Sequence, residues 1–99
     1  MATSVEFGPA ARSEFDEAFD WYARRSHGAA IAFASEVDTA IEKIAADPER
    51  FAGTHAGCRY CAIPRFPYCV IYHHTRSKIV VVAIAHAKRR PGYWRPRLI

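Results

Sequence analysis

The spacing of apolar residues divides the chain into a short alternating run, two helical stripes and three further strand-like runs. Thr3–Phe7 alternates, with Val5 and Phe7 on one side, and reads as an edge strand ended by Gly8-Pro9. Phe15, Ala18, Phe19 and Tyr22 then recur at i, i+3, i+4 and i+7, the period of an amphipathic helix, and Trp21 widens the stripe. Pro9 suits the first turn of that helix, where a backbone N–H has no partner to lose. Glu14, Asp16, Glu17 and Asp20 are expected to face water, and Arg24 and Arg25 close the last turn in keeping with the helix dipole. Ser26-His27-Gly28 reads as the break. A second stripe, Phe33, Val37, Ala40, Ile41 and Ile44, ends at Asp47-Pro48, since proline pushes its predecessor out of the helical region. The pattern predicts helices over about 10–26 and 29–46, joined closely enough to form an antiparallel hairpin.

Gly53-Thr54-His55-Ala56-Gly57 is a loop, and strands are predicted over 58–64, 66–74 and 78–86. Thr75-Arg76-Ser77 makes the last two a hairpin. Ile79–Ala85 is apolar on both faces and is expected to be a central strand, covered on one side by the helices. Tyr68 and Tyr72 share a strand face and read as core, while His73 and His74, beside the turn, are expected to face solvent. The order β-α-α-β-β-β predicts a two-layer α+β fold, an antiparallel sheet with a helical hairpin on one face. At 99 residues the chain suits one domain, 1–99.

Charge changes this picture. Residues 1–50 hold all ten acids and five bases, whereas 51–99 hold nine bases and no acid. Such segregation points to a polyanion, a nucleic acid or an acidic partner, facing the second half. The plainer alternative is that these bases neutralise the acidic helices of the same chain. No apolar run is long enough to span a bilayer, and Met1–Glu6 lacks the charged-then-apolar order of a signal peptide, so a cytoplasmic protein without a membrane partner is expected. Cys58-Arg59-Tyr60-Cys61 has C-x-x-C spacing, but strand residues three apart point to opposite faces and no second ligand pair accompanies them. The three cysteines read as buried thiols, and neither a metal nor a cofactor is expected.

Several words in this order resemble the RelE/ParE superfamily of type II toxin–antitoxin toxins, many of them labelled plasmid-stabilisation proteins. They are Ala18-Phe19-Asp20-Trp21-Tyr22 in the first helix, Ala32-Phe33 in the second, and Asp47-Pro48 after it. Arg65-Phe66-Pro67-Tyr68-Cys69-Val70-Ile71-Tyr72 is similar to the family's R-F-P-Y strand, and Ala85-His86 with Arg89-Arg90-Pro91-Gly92-Tyr93-Trp94 and Arg97 to its C-terminal ending. The likeness covers nearly the whole chain. It implies a cognate antitoxin that wraps and neutralises the toxin. For the target it implies either the ribosome with mRNA, cut as by RelE-like endoribonucleases, or DNA gyrase, poisoned without a nuclease site as by ParE-like members.

Metal-independent RNA cleavage needs a group to deprotonate the 2′-hydroxyl, charge to stabilise the phosphorane and a proton for the leaving oxygen. His86, at the end of the last strand, is the candidate acid or base. Arg65, beginning the neighbouring strand, is expected at the same sheet edge, where it would stabilise the phosphorane. Tyr93 is a second proton-exchange candidate. Arg59, Arg89 and Arg90 are candidate phosphate clamps, and Trp94 would stack on a base. Each has a structural counterpart: a hydrogen-bond network for His86, a helix carboxylate for Arg65, tail packing for Tyr93 and Trp94, and solvation for the arginines. These groups favour the endoribonuclease, with the gyrase inhibitor as the alternative.

Overall fold

A computed structural model of the chain describes residues 4–98. The elements are β1 (Ser4–Phe7), α1 (Pro9–Ala23), α2 (His27–Ala46), β2 (Arg59–Ala62), β3 (Tyr68–His74) and β4 (Lys78–His86), with 3-10 turns at His55–Gly57 and Arg95–Leu98. This is the α+β order that the sequence predicts. Thr3, expected to open the first strand, lies outside the described residues.

Pro9 sits in the first turn of α1 behind an extended Gly8. The Gly8 N–H bonds to the Val81 carbonyl at 2.9 Å, and a Cβ there would stand 3.2 Å from that same oxygen. The helix break falls earlier than expected. α1 ends at Ala23, and Ser26 caps α2, its Oγ accepting from the Ala29 N–H at 3.2 Å. His27 and Gly28 therefore belong to the first turn of α2.

The expected stripes form the core between helices and sheet. Phe33, Val37, Ala40 and Ile44 are buried, with Phe15, Tyr22 and Ile41 packed against them. Phe33 is the hub of an aromatic cluster, its ring centroid 5.3–5.6 Å from those of Phe15, Tyr22, Phe66 and Tyr68. Trp21 does not widen the stripe: it is 47% exposed, with the Arg25 guanidinium 3.6 Å from its ring centroid. One residue is a rotation of about 100° on a helix, enough to carry Trp21 off the face that Tyr22 buries.

The strand order is β1-β4-β3-β2. β2, β3 and β4 are antiparallel, as predicted, but β1 runs parallel to β4, with Val5 opposite Ile79 and Phe7 opposite Val81. The sheet is thus mixed. A tight turn forces its two strands antiparallel, whereas β1 reaches β4 through both helices and the strands β2 and β3, a connection long enough for either sense. β4 is central, and a bulge interrupts it: Ile71 pairs with Ala83 but Tyr72 with Val81, leaving Val82 unmatched. Ile79, Val81 and Ile84 consequently face the helices, while Val82, Ala83 and Ala85 enter a second core with Cys58, Ile71 and Trp94. Both faces of the sheet are covered, the second by the C-terminal tail.

Tyr72 is fully buried on the helix side, as expected, and its hydroxyl donates to the Pro48 carbonyl at 2.6 Å; burial pushes this phenol up to about 12. Cys61 lies in the helix-side core and Cys58 in the tail-side core, so the C-x-x-C spacing does not bring two thiols together. None of the described helices is long and apolar enough to cross a membrane.

Candidate functional site

β4 continues past Val81, the last residue it pairs with β1, and there side chains replace a strand partner. Glu14 Oε1 accepts from the Ile84 N–H at 3.0 Å, and Arg97 Nη1 donates to the Val82 carbonyl at 3.0 Å. The two side chains meet in a bidentate pair, each contact 2.9 Å, and the Tyr93 hydroxyl donates to Glu14 Oε2 at 2.6 Å. The Glu14 side chain is only 11% exposed, contrary to its expected place among the solvent-facing acids. Its spacing held the signal. Glu14 lies three residues after Ala11 and four before Ala18, both buried, so it shares their face of α1.

Burial by itself would raise the Glu14 carboxyl, but bonds from Arg97, Tyr93 and the Ile84 N–H outweigh it and hold the group below its ordinary value. The same environment lifts the Tyr93 phenol well above its usual range, through burial and then through the bond to Glu14. Its proton is held where it is, which makes Tyr93 a poor partner for proton exchange near neutrality.

Of the other sequence-selected residues, Arg65 and Arg59 lie apart from the rest. His86 ends β4 opposite Tyr68; its Nδ1 accepts from the Lys88 N–H at 3.0 Å, and its ring stands edge-on to Tyr68 at 4.9 Å. Arg65 does not begin a strand. It occupies the β2–β3 turn with φ 70°, and its Nε and Nη2 donate to Glu36 Oε2 of α2 at 3.2 and 3.0 Å. The hairpin does bring Pro67 beside Ala87, but the turn before it aims Arg65 at the helices. Arg59 is engaged as well, donating to the Phe51 carbonyl at 2.7 Å and to Glu49 at 3.2 Å. His74, expected to face solvent, takes the other Glu49 oxygen at 2.7 Å. His74 and Arg59 together hold the Glu49 carboxyl below its usual value. Trp94 is 2% exposed, with its ring packed edge-on against His55, so stacking on a base does not fit its position.

His86, Arg89 and Tyr93 do come together, lining a groove of about 390 Å³ beside α1 that also holds Glu14, Glu17 and Trp21, and the same three line a second groove of about 430 Å³ with Arg90 and Trp94. Arg89 lays its guanidinium 3.8 Å from the Tyr93 ring centroid, and Arg90 is exposed beside it.

Ion pairing accounts for part of the segregated charge. Arg59, Arg65, Lys78 and Arg97 pair with Glu49, Glu36, Glu6 and Glu14 of the acidic half. Among the described residues, Arg76, Lys88, Arg89, Arg90 and Arg95 have no such partner, and four of these five cluster after β4.

Residues 5–91 match the family model described as ParE toxin of type II toxin-antitoxin system, parDE. No curated protein matches the chain. Among solved structures, a chain of the chromosomal ParDE TA system from P. aeruginosa superposes with a TM-score of 0.76, covering 88% of this chain and 98% of that one. Its 15% identity makes this a likeness of fold.

Proposed function

Because the chain belongs to the ParE toxin family of type II toxin–antitoxin systems, we infer that it is a non-enzymatic toxin, neutralised by a cognate antitoxin and directed at DNA gyrase in the cytoplasm. The observation that carries this reading is the engagement of Tyr93 by Glu14 at 2.6 Å. A metal-independent nuclease needs proton-transfer and phosphate-binding groups around one phosphate. Here Tyr93 is committed to Glu14, and Arg65 is turned to Glu36. His86 is left without a second proton-transfer group among the candidates, and one such group typically contributes only ~10²–10⁴-fold.

One observation favours the endoribonuclease reading: His86, Arg89, Arg90, Tyr93 and Trp94 share a groove. A paired assay decides between the two. Purified protein with gyrase, ATP and supercoiled plasmid should yield protein-linked linear DNA, while mRNA on translating ribosomes stays intact. His86→Ala should still arrest growth. Messenger cuts in the ribosomal A site that vanish in His86→Ala, without gyrase-linked breaks, would overturn the gyrase reading.

A further inference from the structure

Tyr93 separates two grooves of opposite character. The one beside α1 carries Glu14 and Glu17. The other, about 430 Å³, runs across the tail-covered face of the sheet from Tyr60 and His55 to Arg89 and Arg90. It opens at Arg90 into a shallow trough of about 640 Å³ bounded by Ala56, Gly92 and Arg95. Among the described residues, no Asp or Glu lines either of these two.

The arginines there stand on an anchored support. Trp94 is buried in the tail-side core, and Tyr93 is tied to Glu14. Gly92, at φ 75°, lets the tail double back so that Arg95 returns beside it; a Cβ on Gly92 would stand 2.9 Å from the Arg95 Cδ. Arg89 is stacked on Tyr93. Cations held in place lose less freedom on meeting a ligand than those on a loose tail.

We propose that this joined surface, lined by no Asp or Glu among the described residues, binds the phosphate backbone of duplex DNA, with Arg89 and Arg90 in the groove and Arg95 in the trough contacting phosphates. Building on the gyrase reading above, it grips the DNA segment which that enzyme holds. All three cations are arginines, whose planar forks meet phosphate oxygens two at a time. An acidic peptide would also need seats for apolar anchors. The trough itself is lined by Ala56, Pro91, Gly92 and Pro96 with Tyr93 and Leu98, and the larger apolar side chains Phe66, Tyr68 and Ile71 line the adjoining groove. The arginines along both, facing no described acid, suit a uniform phosphodiester chain.

The test is fluorescence anisotropy of a short labelled DNA duplex with the full chain across a salt series. Binding should be clear at low salt and weaken steeply as salt rises. The variant Arg89→Ala/Arg90→Ala/Arg95→Ala should lose ~10-fold or more in affinity, and its salt slope should fall by about 2–3, near 0.9 per lost phosphate contact. A control that removes three exposed arginines outside the trough, Arg24→Ala/Arg50→Ala/Arg76→Ala, should keep most of both. Thermal melts of both variants check that the fold survives. Absence of duplex binding at low salt, or an equal loss in the control, overturns the proposal. Tighter binding of a charge-matched acidic peptide or of RNA overturns it in favour of that partner. Gyrase-linked cleavage by the unaltered chain reports separately on the target. If it is absent while duplex affinity is intact, the gyrase reading fails and the DNA site stands. If it persists in a trough variant that has lost duplex affinity, the grip on the enzyme's DNA fails.

Discussion

The two faces of the sheet are buried by different means. Under the helices, Phe33, Val37, Ile44, Val70, Tyr72 and Ile79 interlock in one continuous cluster, fed by both helices and all four strands. On the opposite face, β4 and β3 are covered by a tail of about a dozen residues whose main apolar anchor is Trp94. That tail is fastened at its side by a polar latch, Glu14 with Tyr93 and Arg97. The helix face derives its stability from many mutually supporting contacts. The tail face depends mainly on one ring and one carboxylate, and it carries Arg89, Arg90 and Arg95, which have no ion-pair partner among the described residues. The segment richest in candidate contacts is therefore held chiefly by a few identifiable anchors, Trp94 and the bonds of Tyr93 and Arg97.

Substitutions can break or sharpen this contrast. Phe33→Ala should have the largest effect, a loss of about 4–5 kcal/mol, because it empties the hub of the helix-side core. Such a loss approaches the whole stability of a small domain, and denaturant melts should show little folded protein. Trp94→Ala should cost less, about 3 kcal/mol, since the tail can partly settle into the vacated space. Equal losses in the same melts would show that the tail is as integral as the helices.

Glu14→Ala should cost about 1–3 kcal/mol, leaving the Ile84 N–H, the Tyr93 hydroxyl and Arg97 without their acceptor. It should also weaken the duplex binding proposed for the tail. The carboxyl's folded value lies below its ordinary 4.5. Its contribution is thus present above about pH 4.5 and lost as pH falls through the folded value. Glu14→Gln should flatten that acid limb in melts followed across pH, whereas an unchanged limb would remove Glu14 as its source.

The smallest effect belongs to Arg65→Gly. It removes an ion pair whose arginine is 69% exposed, worth about 0–1 kcal/mol, while glycine relieves the φ of 70°. Net stability should stay within about 0.5 kcal/mol, and growth arrest should persist. Loss of toxicity with the fold intact would return Arg65 to the functional site.

The helices, the β3–β4 hairpin and the central place of β4 were legible from the chain because each rests on local periodicity or a tight turn. The pairing of Arg65 with Glu36 and the packing role of Trp94 were legible only as counterparts to chemical roles, since residue type sets what a side chain can do and not which neighbour it meets. Glu14 is hidden in the sequence because an acid on a helix ordinarily faces water, although its spacing from Ala11 and Ala18 places it on the buried face. The parallel seating of β1, the bulge at Val82 and the latch from Glu14 to Arg97 required the folded chain. A long connection leaves strand direction open. One extra residue in β4 exchanges the faces of everything beyond it. A carboxylate finds a guanidinium 83 positions away only after both have been carried to the same open edge of a strand.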